Sequence, residues 1–341
     1  MPVTIHDIAQ SAGVSVGTVS RVINNSPGVK QGTRERVLAV IAQLQYRPDP
    51  IARSMVSKRT GSVGVIVPFF TRPFFMEVLQ GIEAAIAEDR RDLVLYNVEN
   101  DIQRHRYFSE VPMRRRVDGL LILSLTPDEA AARHLREIGL PTVLVDGYSP
   151  LHTSLVVDNI DGAYQAMQCL IRRGHQRIGF IIGLIDGTFQ FNQANDRLIG
   201  VHRALGEAGI LFEPELIVTA DWTRQGGKSA ALHLLALKHR PTAIFAGSDM
   251  QAIGVLNAAN ALGIRVPEEL AIIGFDGIEV SELLDLSTMQ QPMRHMGALG
   301  VYHLIRQMHN PEQPPELIRL STTLVERRTT DPGHHLAAPS V

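Results

Sequence analysis

Short apolar runs that alternate with helix-length amphipathic stretches constrain the fold of this chain more than any other feature. Four runs cover residues 62–67, 92–97, 119–124 and 142–145, and four more cover 177–183, 216–219, 242–246 and 271–275. Stretches such as 74–88 and 128–138 have the pattern of helices and lie between them. Strands alternating with helices predict parallel sheets joined by right-handed crossovers.

The two series of runs also resemble each other. Residues 143–147 and 272–277 close comparable strands in comparable ways, each with an aspartate followed by glycine. We therefore expect two similar α/β subdomains with a cleft between them. In open parallel sheets, ligands bind beyond the carboxyl ends of the strands.

A different pattern occupies the first sixty residues. Thr4 and Asp7 have the spacing of a capping box and predict a helix that ends near Ser11. Gly13 suits a tight turn, and Ser15 can cap a second helix over residues 16–23. A third helix is expected from Thr33, with apolar residues at helical spacing that complete a small core. Two short helices around a turn with glycine predict a helix-turn-helix.

The N-terminal end of the second helix would enter the major groove of DNA. Small side chains at Val16 and Gly17 permit close approach there, and Arg21 can read guanine with two hydrogen bonds. The alternative is a plain helical hairpin used for contacts with protein.

Between the helix-turn-helix and the α/β subdomains, residues 47–55 have the pattern of a short helix. Asp49 can cap a helix and Pro50 suits its first position, but 57–61 read as a loop. A helix of about two turns is marginal in water, because nucleation is costly. We expect it to fold only against DNA and the equivalent helix of a dimer mate.

Charge and cysteine content narrow the function classes. Residues 1–60 hold eight Lys/Arg against three Asp/Glu, net +5, and the remaining residues hold 25 against 32, net −7. A basic head predicts a polyanionic partner. The single cysteine, Cys169, fits a reducing compartment. With no apolar run of about 20 residues and no secretory signal pattern, we expect a cytoplasmic protein without a membrane partner.

Enzymatic interpretations find little support in the sequence. It has no G-x-G-x-x-G after a strand, no P-loop, no G-x-S-x-G and no H-E-x-x-H. Cys169 lies within a predicted helix, and the 13 histidines show no metal-ligand spacing. We expect no enzyme, no catalytic residue, no cofactor and no metal. A secreted sugar-binding protein would share the fold of the body, but it would carry a signal and no basic head.

Several motifs resemble the LacI/GalR family of bacterial transcriptional regulators. They are Thr4-Ile5-His6-Asp7-Ile8-Ala9, Gly13-Val14-Ser15, Thr18-Val19-Ser20-Arg21-Val22-Ile23-Asn24 and Asp49-Pro50-Ile51-Ala52. The resemblance covers nearly the whole chain. It implies a DNA-binding domain over 1–47, a hinge helix and linker over 48–60, an effector-binding and dimerisation core over 61–330, and a flexible tail over 331–341. The core would be a two-subdomain, periplasmic-binding-protein-like α/β fold.

On this resemblance, one set of residues is expected to contact a near-palindromic double-stranded operator: Thr4, Ile5, His6, Ser15, Val16, Gly17, Thr18, Ser20, Arg21, Asn24, Thr33, Tyr46, Ala52 and Met55. The hinge would enter the minor groove, where the family usually inserts a leucine. This chain has Met55 there, which is a competent apolar wedge. Met55 could instead pack between paired hinges.

A small polar effector, best a sugar, is predicted at the strand ends of the core. Aromatic rings, carboxylates and an arginine there can grip a hydroxylated ligand. The resemblance favours these residues as contacts: Phe70, Phe74, Phe75, Asp146, Arg197, Trp222, Ser248, Asp276 and Gln291. A purine, another metabolite or a phosphoprotein co-regulator is the alternative.

Several of these residues also have a purely structural explanation. Phe75 could belong to the core, Trp222 could cover the edge of a sheet, and Arg197 could pair with Asp196 or another surface acid. For Asp249, which follows Ser248, we favour the role of a helix N-cap over ligand contact. His175 is treated as structural.

The resemblance further implies a homodimer, with one head on each half-site. The residues after Arg328 are too few and too rich in proline and glycine for a tetramer-forming heptad helix. The expected activity is repression of a metabolic operon under allosteric control.

Overall fold

A computed structural model describes residues 3–23, 26–46, 60–113, 116–184 and 192–331 of the chain. The chain divides between Gly61 and Ser62 into two compact units, here called the head and the body. The expected hinge helix with Ala52 and Met55, the DNA contact Asn24 and the tail from 332 onward lie outside the described residues.

Three helices form the head: α1 (Ile5–Ala12), α2 (Val16–Ile23) and α3 (Gln31–Gln43). The capping box of α1 is confirmed, because the Thr4 backbone N–H donates to Asp7 Oδ2 at 2.7 Å and the Asp7 N–H to Thr4 Oγ1 at 3.4 Å. Gly13 ends α1 at a φ of 63°, as the turn requires. Ser15 Oγ accepts the Thr18 N–H at 3.2 Å and so caps α2.

The head closes around a small apolar core. Its fully buried members are Ile8, Ala9, Ala12, Val19, Val22 and Val37, with Ile23, Val40, Ile41 and Leu44 packed around them. The apolar residues of α3 complete this core, as their helical spacing predicts. The third helix begins two residues earlier than predicted, at Gln31.

The body contains twelve described strands: β1 (Ser62–Pro68), β2 (Asp92–Val98), β3 (Gly119–Leu123), β4 (Thr142–Val145), β5 (Thr153–Val157), β6 (Ile178–Gly183), β7 (Ile217–Ala220), β8 (Ala243–Ala246), β9 (Ala271–Asp276), β10 (Ser287–Gln290), β11 (Leu317–Leu320) and β12 (Thr323–Val325). Its helices are α4 (Pro73–Glu88), α5 (Asp101–Met113), α6 (Glu129–Glu137), α7 (Asn159–Arg172), α8 (Asn192–Glu207), α9 (Arg224–Leu235), α10 (Asp249–Ala261), α11 (Glu279–Leu283) and α12 (Met293–His309).

The strands of the described residues form two six-stranded sheets. The first has the order β11-β5-β4-β3-β1-β2 and the second β12-β10-β9-β8-β6-β7. All pairings are parallel except that of β12 with β10. The eight predicted strands are all present, within one residue at each end. The chain passes from the first sheet to the second after β5, returns before α12 and β11, and crosses again to β12, so three connections join the subdomains.

Apolar side chains fill both subdomains at the faces of the sheets. β3 and β4 are buried at every position, as strands covered by helices on both sides should be. Helix α12 belongs to the first subdomain, where it packs along α4 and against β3 and β4. No helix among the described residues is long and apolar enough to cross a membrane.

Candidate functional site

A cavity of about 610 Å³, including its open mouth, lies between the two subdomains of the body. The first subdomain supplies Arg72, Pro73, Phe74, Phe75, Ser124 and Asp146, and the second supplies Gln193, Arg197, Trp222, Ser248, Met250, Asp276, Ile278 and Gln291. The strand-end rule explains this placement, since Asp146 follows β4, Asp276 ends β9 and Gln291 follows β10.

Of the nine residues expected to contact an effector, the structure brings eight to this cavity. Phe70 is the exception. Its side chain is 38% exposed and is not among the lining residues, and its backbone N–H donates to Asn97 Oδ1 at 3.2 Å. The tight turn after β1 directs α4 so that Phe74 and Phe75, two helical residues, face the cavity instead.

Sequence reasoning missed six of the lining residues, namely Arg72, Pro73, Ser124, Gln193, Met250 and Ile278. Ser124 ends a predicted strand and could have been found by the rule that identified Asp146. Gln193 had no such signal, because it lies at the start of α8 and reaches Asp146 across the cleft.

Two aspartates at equivalent strand ends adopt unusual backbone conformations. Asp146 has a φ of 57° and Asp276 a φ of 126°. Residues other than glycine rarely take positive φ, and such strain is concentrated at functional sites. The resemblance noticed between the two strand ends in the sequence therefore corresponds to two carboxylates turned into the same cleft.

Asp146 joins the two subdomains through its carboxylate. Ser124 Oγ donates to Asp146 Oδ2 at 2.6 Å, and Gln193 Nε2 donates to the same oxygen at 2.9 Å and to the Asp146 carbonyl at 2.8 Å. Burial raises the pKa of Asp146 to about 6, against the opposing effects of these donors and of Arg197.

Arg197 is the buried cation of the site, with only 4% of its surface exposed. Its Nε donates to Asn159 Oδ1 at 2.9 Å and its Nη1 donates to the Gly247 carbonyl. The guanidinium carbon lies 3.7 Å from the centre of the Phe275 ring and 5.5 Å from that of Trp222. Burial lowers the pKa of Arg197, but a guanidinium stays charged. The surface pairing with Asp196 considered as its alternative role is not a hydrogen-bonded contact here.

Asp276 faces Arg197 from the end of β9. Its Oδ1 lies 4.0 Å from Arg197 Nη2 and accepts the Gln291 Nε2–H at 2.8 Å. Burial raises the pKa of Asp276, whereas Arg197 opposes that shift. The cleft thus gathers two carboxylates and a guanidinium whose positions are set by hydrogen bonds to neighbouring groups.

Our expectation that Asp249 caps a helix is wrong. Ser248 is the N-cap of α10, with its Oγ accepting the Gln251 N–H at 3.2 Å. Asp249 is fully buried and its Oδ2 accepts the N–H groups of Gly277 and Ile278 at 2.7 and 3.0 Å. Asp249 therefore holds the loop that follows Asp276. It helps to shape the cleft but does not line it.

Aromatic rings form opposite walls of the cavity. Phe74 and Phe75 meet edge to face at 5.2 Å between ring centres, and Phe75 is both core and wall at 6% exposure. Trp222 lies over Gly183 at the end of β6, where a Cβ would come within 1.9 Å of the indole ring. Glycine at 183 therefore allows the indole to reach the cavity.

At the rim, Arg72 lies with its guanidinium carbon 3.8 Å from the centre of the Phe69 ring. Burial lowers its pKa and the negative charge of Asp221 opposes that change. Arg72 and Arg197 are the two cations among the described lining residues.

The expected DNA-contact residues of the head lie on or near its surface. Exposed members are Thr4, His6, Ser15, Gly17 and Arg21, and half-buried members are Ile5, Val16, Thr18, Ser20, Thr33 and Tyr46. Arg21 Nε donates to the Gly17 carbonyl at 3.2 Å, so its guanidinium lies along α2.

Two other residues considered in the sequence analysis, His175 and Cys169, lie outside the cavity in structural positions. His175 Nδ1 lies 2.9 Å from Thr242 Oγ1 and joins the turn before β6 to the turn before β8, as a structural histidine would. Cys169 is buried in α7, and burial raises the pKa of its thiol to about 11. Within the described residues, no cluster of three or more His, Cys, Asp or Glu side chains could hold a metal ion.

The raised pKa of Asp146 predicts a pH dependence of folding stability. An unperturbed aspartate titrates near pH 3.9, so the folded protein keeps a proton that the unfolded chain has released. Asp146 therefore lowers the free energy of unfolding as the pH rises from about 4 to about 6. Asp146→Asn should remove this contribution in urea titrations across that range. An unchanged pH slope in the variant would contradict the assignment.

Comparison with known proteins identifies both units. Residues 4–49 match the family model described as bacterial regulatory proteins, lacI family, and residues 167–330 match a periplasmic binding protein-like domain. The chain is 34% identical over 340 residues to the HTH-type transcriptional repressor PurR of Pectobacterium carotovorum subsp. carotovorum (strain PC1), covering 98% of each protein.

Two solved structures have the same architecture. The lac repressor dimer bound to operator and the anti-inducer ONPF superposes with a TM-score of 0.84 at 26% identity, over 97% of this chain and 99% of that one. The complex of the transcriptional regulator CelR with cellobiose gives a TM-score of 0.71 at 32% identity, over 96% and 99%.

Proposed function

Because the chain belongs to the LacI/GalR family of bacterial transcriptional regulators, we propose that it represses a metabolic operon under the control of a small molecule bound in the cleft. The observation that carries the proposal is the cavity between the subdomains, in a chain whose head is a helix-turn-helix. Two buried carboxylates, a buried guanidinium and aromatic walls at its lining suit an effector site rather than a structural void.

The head reads DNA through α2 and its surroundings. The exposure of Ser15, Gly17 and Arg21 at α2 supports their contact with the major groove. We assign the remaining expected contacts, including Asn24, Ala52 and Met55, on the family resemblance alone. The segment 48–60 acts as the hinge between the DNA-binding domain of 1–47 and the core of 61–330, with 331–341 as a tail.

The effector is a sugar in this proposal. Aromatic rings stack on the apolar faces of sugar rings, and Asp146, Asp276 and Arg197 offer partners for hydroxyl groups. A relative of the same architecture holds cellobiose, which supports this class. We assign contacts to Phe74, Phe75, Asp146, Arg197, Trp222, Ser248, Asp276 and Gln291, and withdraw Phe70.

The protein acts as a homodimer on a near-palindromic operator. The lac repressor is a dimer on its operator, which supports this assembly. Exposed apolar side chains on α11 and at the residue after it, namely Val280, Leu283 and Leu284, give the body a surface that a second copy could cover. We further propose that the protein catalyses no reaction and works in the cytoplasm.

Control passes from the cleft to the head through the relative position of the two subdomains. The effector bridges them, so its occupancy changes how they close and hence the spacing of the paired hinges. A coupling of about 1–3 kcal/mol corresponds to roughly 5- to 150-fold in operator affinity. The sign of the change is set by whether the occupied or the empty cleft suits the paired hinges.

A mobility-shift titration on the upstream region of the gene tests the proposal. A specific complex that changes in affinity when sugars are added is the expected result. No specific complex with that region or with any fragment from a genomic selection would contradict regulation by DNA binding.

Arg21→Ala separates base reading from general attraction to DNA. It should reduce the preference for the operator over base-substituted variants by about 1–3 kcal/mol, because the bidentate contact to guanine is lost. Arg36→Ala, an exposed arginine of α3, removes the same charge and serves as the control. Equal losses on operator and random DNA for Arg21→Ala would exclude a role in base reading.

A further inference from the structure

Three consecutive backbone N–H groups after β9 are bound by carboxylates from different subdomains. Asp249 Oδ2, in the second subdomain, accepts the N–H groups of Gly277 and Ile278 at 2.7 and 3.0 Å. Glu77 Oε1, on α4 of the first subdomain, accepts the N–H group of Glu279 at 3.0 Å. This segment is therefore held to its own subdomain by Asp249 and to the opposite subdomain by Glu77.

Glu77 reaches the second subdomain from a rigid base. Gly81, about one turn further along α4, lies so close to α12 that a Cβ there would come within 1.9 Å of the Arg294 carbonyl oxygen. Arg294 Nε lies 3.7 Å from Glu77 Oε2, and the Glu77 side chain is 18% exposed. Because α4 is packed against α12 here, Glu77 cannot follow the second subdomain if the two move apart. A change in their spacing therefore breaks the bond to Glu279.

This bridge differs from the one that Gln193 makes with Asp146. Gln193 and Asp146 both line the cavity, so a ligand can compete for their hydrogen bonds. Neither Glu77 nor Glu279 is among the described lining residues. An effector can therefore make or break the bond between Glu77 and Glu279 only by moving the subdomains.

We propose that Glu77 is a positioning residue that holds the two subdomains in the arrangement described here, without contacting the effector, and that it thereby influences the affinity for operator DNA. The inference rests on the proposed function and names a residue through which closure of the cleft is set. One net hydrogen bond corresponds to an about three- to tenfold change in the ratio of this arrangement to an opened one. The segment that Glu77 holds leads directly into α11, so the exposed apolar surface of that helix depends on the same bond.

Distances between the subdomains of the full-length protein test the proposal. Spin labels are attached to Arg133→Cys on α6 and His233→Cys on α9, two exposed positions, whereas the native Cys169 is buried. Labelled protein is mixed with an excess of unlabelled protein, so that pulsed electron resonance without added ligand records distances within one chain. Glu77→Met should lower the ratio of the wild-type distance to longer distances about three- to tenfold. A distribution identical to that of the wild type would overturn the proposal.

Two matched variants separate the bridge from other roles of Glu77. Glu77→Gln keeps an acceptor oxygen for the Glu279 N–H group and should keep the wild-type distances. Arg294→Met removes the ionic partner of Glu77 within the first subdomain and should also leave the distances unchanged. Equal opening in Arg294→Met and Glu77→Met would mean that the ion pair sets the arrangement, and it would overturn the role of the bridge.

The Kd for the upstream fragment of the mobility shift separates this inference from the proposed function. Glu77→Met should change that Kd by up to about tenfold, because a shift between two arrangements changes an affinity by no more than their ratio changes. Glu77→Gln should leave the Kd at its wild-type value. Longer distances with an unchanged Kd in Glu77→Met would overturn the influence of Glu77 on operator binding. Failure of the wild type to bind any fragment would instead contradict the proposed function, whatever the distances show.

Discussion

Arg197→Met is expected to abolish the response to effector. The substitution keeps much of the side-chain volume but removes the guanidinium that faces Asp276 and holds Asn159 and the Gly247 carbonyl. An effector would then enter a cleft with two buried carboxylates and no central cation. The operator affinity measured without effector should stay near its wild-type value, since the head has its own core.

The same substitution should also lower the stability of the body. Removing one partner of a buried ion pair costs about 3–5 kcal/mol, because the remaining charge is left uncompensated. The cost should shrink at low pH, where the buried carboxylates take up protons. Chemical denaturation at two pH values measures both effects.

Arg197→Lys is the matched control for charge. It restores a cation but not the planar fork that serves Asn159 and Gly247 at once. We expect it to recover part of the stability and little of the effector affinity. If Arg197→Met bound the effector with wild-type affinity, the cleft would not be the effector site described above.

Gly81→Ala should destabilise the first subdomain. Gly81 lies where α4 crosses α12, and a Cβ there would come within 1.9 Å of the Arg294 carbonyl oxygen. The backbone of α12 cannot rotate out of the way as the end of a flexible side chain can. Helices α4 and α12 must therefore move apart. Overpacking of this kind costs about 1–3 kcal/mol and sometimes more.

Gly206→Ala is the control for this change. It adds the same methyl group to α8 at an exposed helical position with no atom within 4 Å of the new Cβ. Alanine favours helix over glycine by up to about 1 kcal/mol, so the control should be neutral or stabilising. The two variants are compared by urea denaturation. Equal stability of Gly81→Ala and wild type would mean that α4 and α12 are not packed as described.

Short-range sequence patterns predicted the helices of the head and the central strands of the body. The capping box at Thr4, the turn at Gly13 and the cap at Ser15 act over three or four residues, so sequence spacing alone specifies them. The central strands are continuous apolar runs because helices cover both of their faces.

The strands β5, β10, β11 and β12 were not predicted, for a physical reason. They are short, and β11 and β12 lie at sheet edges with alternating or partial burial. The pairing of β11 with β5 and of β12 with β10 depends on the crossings between subdomains, which no local pattern encodes. The return of α12 to the first subdomain likewise depends on tertiary packing and not on a local sequence pattern.

The candidate site was predictable in part. The strand-end rule placed Asp146 and Asp276, because carboxyl ends of parallel strands share one edge. It could not place Gln193, whose role arises from the approach of α8 to the opposite subdomain. The N-cap preference misjudged Asp249, since its four acceptor contacts come from residues 28 to 39 positions away in the sequence.

In the proposed mechanism, occupancy of the cleft sets the affinity of the protein for operator DNA. The most direct measurement is the anisotropy of a labelled operator titrated with full-length protein at fixed salt, with and without a saturating cleft ligand. We expect a change in Kd of about 5- to 150-fold that disappears in Arg197→Met. Identical operator affinities, with calorimetry showing the cleft filled, would contradict it.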